Sequence, residues 1–340
     1  MICFTWWGLT QYAARAIEAF NKVSKEPVCV VATRPQSSPV KGMERILTCP
    51  IVWVEESETD VLSRLQEVPR VVFISNWNLA CFRPIENAVR AKGGVTVAMV
   101  DTNFRFSARE LLRAIRFRLC LRHRFDKFFV VGASGERLLH FYGVEKERVY
   151  KGLYGADPAL FFNGAPLSER PKRILYVGQF IARKNVLRLV EAFGRFHTLY
   201  PDWELEMCGH GVLHDQIREQ PGLIVHDFVQ PEQLAALYRN ARAFVLPSLE
   251  EHWGVVVHEA VLSGCYLLLS KGIGARADFA VEGNSFLFNP LSVEEMESAF
   301  SAVADHSEHE LNVAQTKSLE LSRAFGLDRF VVSVVAMCRE

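Results

Sequence analysis

The sequence predicts an α/β protein built from two parallel sheets, one in each half of the chain. Short runs of β-branched and aliphatic residues alternate with segments of helical periodicity, which is typical of parallel sheets covered by helices. A stretch rich in glycine, proline, asparagine and serine at residues 154–171 interrupts this alternation. The length of 340 residues suits two domains. We therefore expect one domain over 1–153, a second over 165–322, and a C-terminal helical segment over 323–340.

Composition limits the class of protein without naming a partner. Hydrophobic residues make up 49% of the chain and charged residues 23%, as in globular proteins with a sizeable core. Lys+Arg and Asp+Glu both number 39, so the net charge favours no partner. The eight cysteines form no C-x-x-C pair, which favours reduced thiols in a cytosolic protein. We find no signal peptide and no run long enough to span a bilayer.

The N-terminal half begins as nucleotide-binding folds often do, with a strand, a glycine turn and a helix. The apolar run at 2–6 leads to Gly8, and Thr10 is placed to cap a helix over 11–25. A G-x-G-x-x-G fingerprint is absent from the sequence, which disfavours a Rossmann dehydrogenase. Further strands are expected at 28–32, 51–54, 71–75, 95–100 and 128–131.

Asp101 follows the strand at 95–100 directly. Parallel sheets bind ligands at the carboxyl ends of their strands. Asp101 is therefore a candidate ligand for a sugar or an acceptor, and a role as a strand-end cap is equally open.

Residues 104–128 are expected to form a basic amphipathic helix. Eight basic residues fall between 105 and 127, opposed only by Glu110 and Asp126, so the rest of the chain is net acidic. A solvated helix face is one explanation, and contact with anionic lipid headgroups through 105–127 is the one we favour. Nucleic acid lacks a supporting aromatic motif. The basic residues are Arg105, Arg109, Arg113, Arg116, Arg118, Arg122, Arg124 and Lys127.

The second half restarts with a strand at 173–177 and Gly178, after which Arg183 and Lys184 precede a helix that begins near Val186. Two cations at a helix N-terminus are unfavourable unless an anion binds there. We therefore predict an anion site at this turn.

A second strand, loop and helix follow at 243–264. The helix is expected to begin near Trp253 or Gly254 and to end at Gly264. Glu251 lies in the loop and Glu259 about two turns into the helix. The amides of Trp253, Gly254 and Val255 would offer a partly positive seat for an anion. Taken alone, two glutamates at this spacing are also ordinary capping chemistry.

The whole string from Pro247 to Gly264 resembles the Glu-x7-Glu signature of family 4 (GT4) retaining glycosyltransferases. That resemblance implies a GT-B fold, with two Rossmann-like domains facing across a deep cleft and a C-terminal helix that returns to the first domain. The stretch from Gly178 to Lys184 resembles the family's Gly-Arg-x4-Lys-Gly element. Gln179 departs from the pattern where arginine is frequent, and Arg183 would supply the missing charge.

The resemblance also implies a role for each candidate residue. Glu251 would hold sugar hydroxyls and Glu259 the ribose diol, while Lys184 and Arg183 stabilise the leaving diphosphate. Asp101 occupies the place where relatives often have histidine near the sugar and acceptor. The remaining implied contacts with the donor nucleotide are Gly8, Gly178, His210, Phe228, Val229 and the amides of residues 253–255.

The implied reaction transfers a hexose-type sugar from a nucleotide diphosphate sugar to a hydroxyl, with retention and without a metal or other cofactor. We expect a glycan or lipid-linked acceptor in bacterial polysaccharide or lipopolysaccharide assembly, at the inner face of the membrane. The nucleotide stays open among UDP, GDP and ADP. A nucleotide-sugar 2-epimerase of the same fold and a non-catalytic sugar-nucleotide binding protein at a membrane surface are the alternatives.

Overall fold

The structure is a computed structural model, and it describes residues 1–35 and 45–339. The chain divides into two units. Unit 1 comprises Met1–Gly155 together with Phe325–Glu340, and unit 2 comprises Ala156–Ala324.

Strands and helices alternate through both units of the chain. The strands are β1 Ile2–Trp6, β2 Val28–Ala32, β3 Ile51–Trp53, β4 Val71–Ile74, β5 Val95–Val100, β6 Lys127–Val130, β7 Val149–Lys151, β8 Arg173–Val177, β9 Glu204–Cys208, β10 Leu223–His226, β11 Ala243–Leu246, β12 Tyr266–Ser270 and β13 Ser285–Phe288. The α-helices are α1 Gln11–Asn21, α2 Arg83–Ala91, α3 Ala108–Cys120, α4 Ala133–Phe141, α5 Val186–Leu199, α6 Pro231–Asn240, α7 Val255–Leu262, α8 Arg276–Phe279, α9 Val293–Ala304, α10 Glu308–Ser322 and α11 Leu327–Cys338.

Unit 1 contains a sheet in the order β3-β2-β1-β4-β5-β6-β7, with every pair of neighbouring strands parallel. Strands β1, β2 and β4 are buried throughout, because helices cover both faces of such a sheet. Phe4 of β1 stacks on Phe73 of β4 with ring centroids 4.6 Å apart. Phe330 of α11 packs against Phe4 and Phe129, so the last helix belongs to the core of this unit.

Unit 2 contains a second parallel sheet in the order β10-β9-β8-β11-β12-β13. Strand order reverses direction between β8 and β11, which makes this pair the topological switch point where open α/β sheets bind ligands. Phe193 and Phe196 of α5 pack on Phe300 of α9 beside this sheet. The prediction of two Rossmann-like parallel-sheet domains is therefore confirmed.

Three helix predictions were wrong in detail. The helix that begins at Gln11 ends at Asn21, and Thr10 occupies its N-cap position without a side-chain cap bond. The basic helix is confined to Ala108–Cys120, because Ser107 caps it through the amide of Glu110. The C-terminal segment expected to be helical over 323–340 forms a helix only over Leu327–Cys338, since Gly326 adopts a φ of 109° and separates α10 from α11.

Candidate functional site

The turns that follow β8 and β11 leave the carboxyl edge of the unit 2 sheet side by side, because these strands are neighbours in the sheet. After β8, a 3-10 turn at Ala182–Lys184 leads into α5. After β11, a loop carries Glu251 and leads into α7. The two turns bring together charged residues that lie 67 and 68 positions apart in the chain.

Glu251 accepts hydrogen bonds from both predicted cations. Its Oε2 forms an ion pair with the ammonium of Lys184 and lies 3.2 Å from Nη1 of Arg183. Arg183 also donates to the carbonyl of Glu250 at 2.8 Å, which fixes its guanidinium against the same loop. The Lys184 side chain is 11% exposed and that of Glu251 is 13% exposed, so solvent screens this pair weakly. The Ser248 hydroxyl lies 3.4 Å from the same carboxylate oxygen.

Backbone contacts hold the Glu251 loop in place. The amide of Glu251 donates to the carbonyl of Gly272 at 3.2 Å, and the amide of Gly274 donates back to the carbonyl of Glu251 at 3.3 Å. A Cβ at Gly274 would lie 1.9 Å from the carbonyl oxygen of His252, so only glycine fits there. The turn after β12 therefore positions the carboxylate that the two cations share.

Asn185 connects the lysine turn to the rest of the edge. Its φ of 60° is the one positive value among the non-glycine residues that the structure describes. Its side-chain amide donates to the carbonyls of Pro247 at 3.2 Å and Pro290 at 2.6 Å. Asparagine tolerates this left-handed conformation better than most residues, which explains how the chain turns sharply between Lys184 and α5.

Helix α7 begins one or two residues later than the sequence predicts. Gly254 is its N-cap with a φ of 95°, and Gly264 follows its end with a φ of 74°, as expected for a C′ glycine. Among the described residues, no acceptor is found for the amides of Gly254 and Val255. These two amides point out of the first turn, beside the loop that carries Glu251, and can bind an anion.

Glu259 projects from the second turn of α7. Its Oε2 is inaccessible to solvent and has no hydrogen-bond partner among the described residues. Burial raises the pKa of Glu259 to about 7, and a hydrogen bond from the Tyr238 hydroxyl partly opposes this shift. An unpaired buried carboxylate oxygen is costly, so its presence favours a ligand that donates hydrogen bonds to it.

Trp253 is part of the core instead of the ligand surface. Its side chain is 2% exposed, packs on Phe279, and donates its indole N–H to Asp278 at 2.8 Å. A donor could therefore contact Trp253 only through its backbone, as predicted for the amides of residues 253–255.

The other predicted nucleotide contacts in unit 2 lie on turns at the same edge. The amide of Gly178 donates to the carbonyl of Cys208, and a Cβ at Gly209 would lie 1.9 Å from the carbonyl oxygen of Gly178. These two glycines allow close packing of neighbouring turns. Phe228 is 41% exposed and lies with Val229 in the loop after β10, so its ring is available to a ligand.

His210 lies in the turn after β9 and is exposed. Its Nδ1 is 3.3 Å from Oδ1 of Asp227, and its contact with the nucleotide stays a prediction.

In unit 1, Gly8 and Asp101 both follow their strands at the carboxyl edge of the sheet, with β4 between β1 and β5. The amide of Gly8 donates to the hydroxyl of Thr33 at 2.7 Å, and Asp101 is exposed. Trp7 lies at the same edge and was not among the predicted site residues. Its indole is 52% exposed, yet its N–H is fixed by Glu56 at 2.7 Å.

Two further residues of unit 2 were missed. His258 is buried, accepts from the amide of Ala156 on Nδ1 at 2.9 Å, and contacts the carbonyl of Ser322 through Nε2. Burial lowers the pKa of His258 to about 4, which keeps it neutral and able to make both bonds. Asn185, described above, also carried no recognisable signal, because its backbone conformation is visible only in the folded chain.

The exposed face of α3 carries a stripe of large apolar side chains. Their spacing of one, three and four positions keeps them within about a quarter of the helix circumference. The opposite face, with Ala114 and Phe117, is buried in unit 1. The exposed apolar residues are Leu111, Leu112, Ile115 and Leu119, with Phe106 just before the helix.

Several of the predicted basic residues have structural partners instead of an open surface. Arg118 donates to backbone carbonyls of α4 and its C-cap, and Arg122 pairs with Glu145. Arg124 pairs with Glu86, and buried Lys127 donates to the carbonyl of Met337. The last part of 105–127 therefore folds into unit 1, and the predicted membrane contact through this segment stays a prediction that concerns α3. No helix of the described residues is both long enough and apolar enough to span a bilayer.

Unit 2 matches a known protein family in sequence, and the whole chain is similar in fold to solved structures. Residues 160–317 match the family model described as Glycosyl transferases group 1. Among similar solved structures, HepE of Anabaena in complex with UDP has a TM-score of 0.77 at 13% identity, over 98% of both chains. Sucrose-phosphate synthase from Thermosynechococcus elongatus has a TM-score of 0.74 at 15% identity, over 100% of this chain and 98% of the synthase.

The chain has the GT-B fold. Both structural relatives are GT-B glycosyltransferases with two Rossmann-like domains. A curated relative, glycogen synthase of Mycobacterium tuberculosis, is 33% identical over 122 residues. That match spans 34% of this chain and 29% of the synthase, so the chain covers less than a third of that relative. The match to the family model falls within unit 2, which contains the Lys184–Glu251 pair.

Proposed function

We propose that this GT-B chain is a retaining glycosyltransferase that moves a hexose-type sugar from a UDP-sugar to a hydroxyl. The observation that carries the proposal is the convergence of Lys184 and Arg183 on Glu251, beside the unpaired amides that begin α7. One carboxylate leaves the two cations with a net positive charge beside a helix N-terminus at the topological switch point, which suits an anionic ligand.

The two cations serve the leaving group. Breaking the bond between the sugar C1 and the phosphate oxygen leaves a diphosphate with additional negative charge. Lys184 and Arg183 are already held in position by Glu251, so they stabilise this charge without first reorganising. Each keeps N–H donors beyond those it gives to Glu251. The side-chain cations and helix amides thus supply the positive charge that a divalent metal supplies in other transferases. We therefore propose a metal-independent reaction.

Glu259 holds the ribose. A carboxylate accepts two hydrogen bonds from a vicinal diol, and Oε2 of Glu259 lacks a partner in the described structure. Phe228 and Val229, on the loop after β10, contact the uracil base, and Gly8 approaches the diphosphate. UDP is favoured over GDP and ADP because the solved structure of HepE binds UDP.

Retention follows from a front-face path. The C1–phosphate bond breaks as the bond from C1 to the acceptor oxygen forms on the same face, and a phosphate oxygen of the departing diphosphate takes the acceptor proton. This path needs no dedicated protein base. Glu251 holds sugar hydroxyls near the reacting carbon, and Asp101 contacts the sugar or the acceptor.

The acceptor is a glycan or lipid-linked glycan at an anionic membrane surface, in bacterial polysaccharide or lipopolysaccharide assembly. The support is α3, where exposed leucines and isoleucine lie next to Arg109 and Arg116 on the helix surface. Apolar side chains enter the headgroup region while arginines contact anionic lipid, so the enzyme works peripherally on the cytoplasmic leaflet.

Ligand-induced stabilisation tests the donor directly. UDP, GDP, ADP and their glucose conjugates are added separately, and the melting temperature is recorded for the wild type and for Glu259→Ala. We expect UDP and UDP-sugars to raise it in the wild type and much less in the variant. No shift with any nucleotide would overturn the proposal, and a shift only with GDP or ADP would overturn the choice of base.

Product analysis separates the alternatives. Incubation of a UDP-sugar with bacterial lipid extract should release UDP and form a glycoside with the donor's anomeric configuration, read by NMR. An epimerised sugar nucleotide formed from donor alone would identify the 2-epimerase. Tight UDP-sugar binding without UDP release in any acceptor extract would identify the non-catalytic binding protein.

A further inference from the structure

A cluster of two histidines and one aspartate lies beside the outer strands of the unit 2 sheet and contacts the turn that follows β8 through Phe180. His210 and His214 come from the segment after β9, and Asp227 follows β10. Strands β9 and β10 are parallel neighbours, so these two segments leave the sheet together. One nitrogen of each histidine and one carboxylate oxygen lie within 4.8 Å of one another.

The distances within this cluster fit a metal ion better than hydrogen bonds. Nδ1 of His210 lies 3.3 Å from Oδ1 of Asp227, and Nε2 of His214 lies 3.7 Å from the same oxygen. The first distance is at the long limit of a hydrogen bond and the second is beyond it. Ligands that bind zinc tetrahedrally at about 2.1 Å lie about 3.3–3.5 Å apart. The cluster therefore needs only a small movement to become a coordination sphere.

His214 has a carboxylate near each of its ring nitrogens. While its Nε2 points towards Asp227, its Nδ1 lies 3.5 Å from a second carboxylate, that of Asp215. A carboxylate on the far nitrogen fixes the tautomer and makes the imidazole a stronger ligand. The His214 ring also stacks on Phe180, with centroids 5.8 Å apart and planes 23° apart.

We propose that His210, His214 and Asp227 form a zinc site that joins the segments after β9 and β10. Two imidazoles and a carboxylate are ligands that Zn²⁺ accepts in tetrahedral geometry, with water in the fourth position. His210 and Asp227 are exposed, so the ion enters from solvent. Zinc binding at these three side chains does not require the transferase activity.

Metal titration of the full chain tests this site. The protein carries no histidine tag, is stripped with chelator, and has exposed Cys120 replaced by serine to remove a competing thiol. We expect calorimetry to show one Zn²⁺ bound per chain, and a rise in melting temperature on zinc addition. We expect Co²⁺ to give visible bands of a tetrahedral ion without the near-ultraviolet band of a thiolate ligand.

Variants identify the ligands. His214→Ala and Asp227→Asn should each weaken binding by more than tenfold, and Asp215→Asn should weaken it by about tenfold through His214. The control His309→Ala removes an exposed histidine elsewhere in unit 2 and should leave the affinity unchanged. Absence of saturable binding in the wild type, or equal affinity in His214→Ala and Asp227→Asn judged folded by circular dichroism, would overturn the site.

Discussion

The carboxyl edges of the two sheets differ in how they hold their polar residues. In unit 2, Lys184, Glu251 and Glu259 are largely shielded from solvent, and the first two are ion-paired. In unit 1, Asp101 is exposed and Trp7 presents half of its surface. Removing a charge from solvent costs free energy unless a partner or a ligand compensates it, so shielded charges suit a ligand of fixed shape. Exposed polar groups carry no such cost and can bind partners of different shapes.

The proposed roles account for a family match that covers unit 2 and not unit 1, since unit 2 would bind the donor and unit 1 the acceptor. Every nucleotide-sugar donor presents a charged diphosphate and a ribose diol, so the positions of the residues that bind it are tightly constrained. The acceptor differs between enzymes, and an open edge can change to suit it. Substitutions at the unit 2 edge should therefore change donor binding and turnover, and substitutions at the unit 1 edge should change acceptor binding.

The largest effect is expected from the ion pair in unit 2. Lys184→Met should lower kcat by about 100- to 1,000-fold, because the leaving diphosphate loses a positioned cation. Glu251→Gln should have a similar effect, since it removes the group that holds both cations. UDP-sugar turnover measures this. The matched controls Lys92→Met and Glu320→Gln change exposed residues and should retain activity. Full turnover in Lys184→Met would remove the leaving-group role.

Glu259→Ala should weaken UDP binding by about 2–4 kcal/mol, the value of two charge-assisted hydrogen bonds to the ribose. Calorimetry with UDP and with 2′,3′-dideoxy-UDP measures it. The dideoxy nucleotide should bind the wild type and the variant with equal affinity. Unchanged UDP affinity in the variant would contradict the diol contact.

The exposed face of α3 in unit 1 should bind anionic vesicles. Changing Arg109 and Arg116 to glutamine should weaken binding by about 2 kcal/mol, at about 1 kcal/mol for each arginine. Co-sedimentation with phosphatidylglycerol vesicles measures it. Arg83→Gln with Arg90→Gln, on α2 of the same unit, is the control with equal charge loss. Equal loss in both double variants would show nonspecific attraction instead of docking through α3.

The pH dependence of stability should report the shielded carboxyl in unit 2. The pKa of Glu259 rises from 4.5 to about 7 because of burial, so the folded state keeps a proton that the unfolded state releases between these values. The stabilisation of the folded state by this bound proton is fully present below pH 4.5 and is lost as the pH rises through 7. Glu259→Gln should match the wild type at pH 4.5 and exceed its free energy of unfolding by about 3 kcal/mol at pH 8. Urea unfolding at both pH values, with Glu320→Gln as control, measures this; parallel profiles would contradict it.

The smallest effect is expected at the open edge of unit 1. Asp101→Asn should raise the KM for the acceptor by less than about tenfold, since an exposed hydrogen bond contributes about 1 kcal/mol. The KM for the UDP-sugar should not change. A change in donor affinity as large as that of Glu259→Ala would erase the distinction between the two edges.

The sequence by itself determined the fold class, because alternating apolar runs and helical periodicity are local patterns that survive in any tertiary context. It also singled out Lys184 and Arg183, which precede a helix start, and Glu251 and Glu259, whose surrounding stretch resembles a known family signature. Only the tertiary structure decided which of these groups meet. Oε2 of Glu251 accepts hydrogen bonds from cations 67 and 68 positions away in the chain. These contacts depend on β8 and β11 being neighbours in the sheet, which neither segment predicts by itself.

Burial was likewise decided by the folded chain. Trp253 occupies the core although its neighbours line the site, and Lys127 turns inward from a segment that reads as uniformly basic. His214 and Asp227 carry no joint signal, since 13 positions separate them in the chain. Side chains distant in sequence become neighbours only when strands pair, and pairing depends on packing energies summed over the whole sheet.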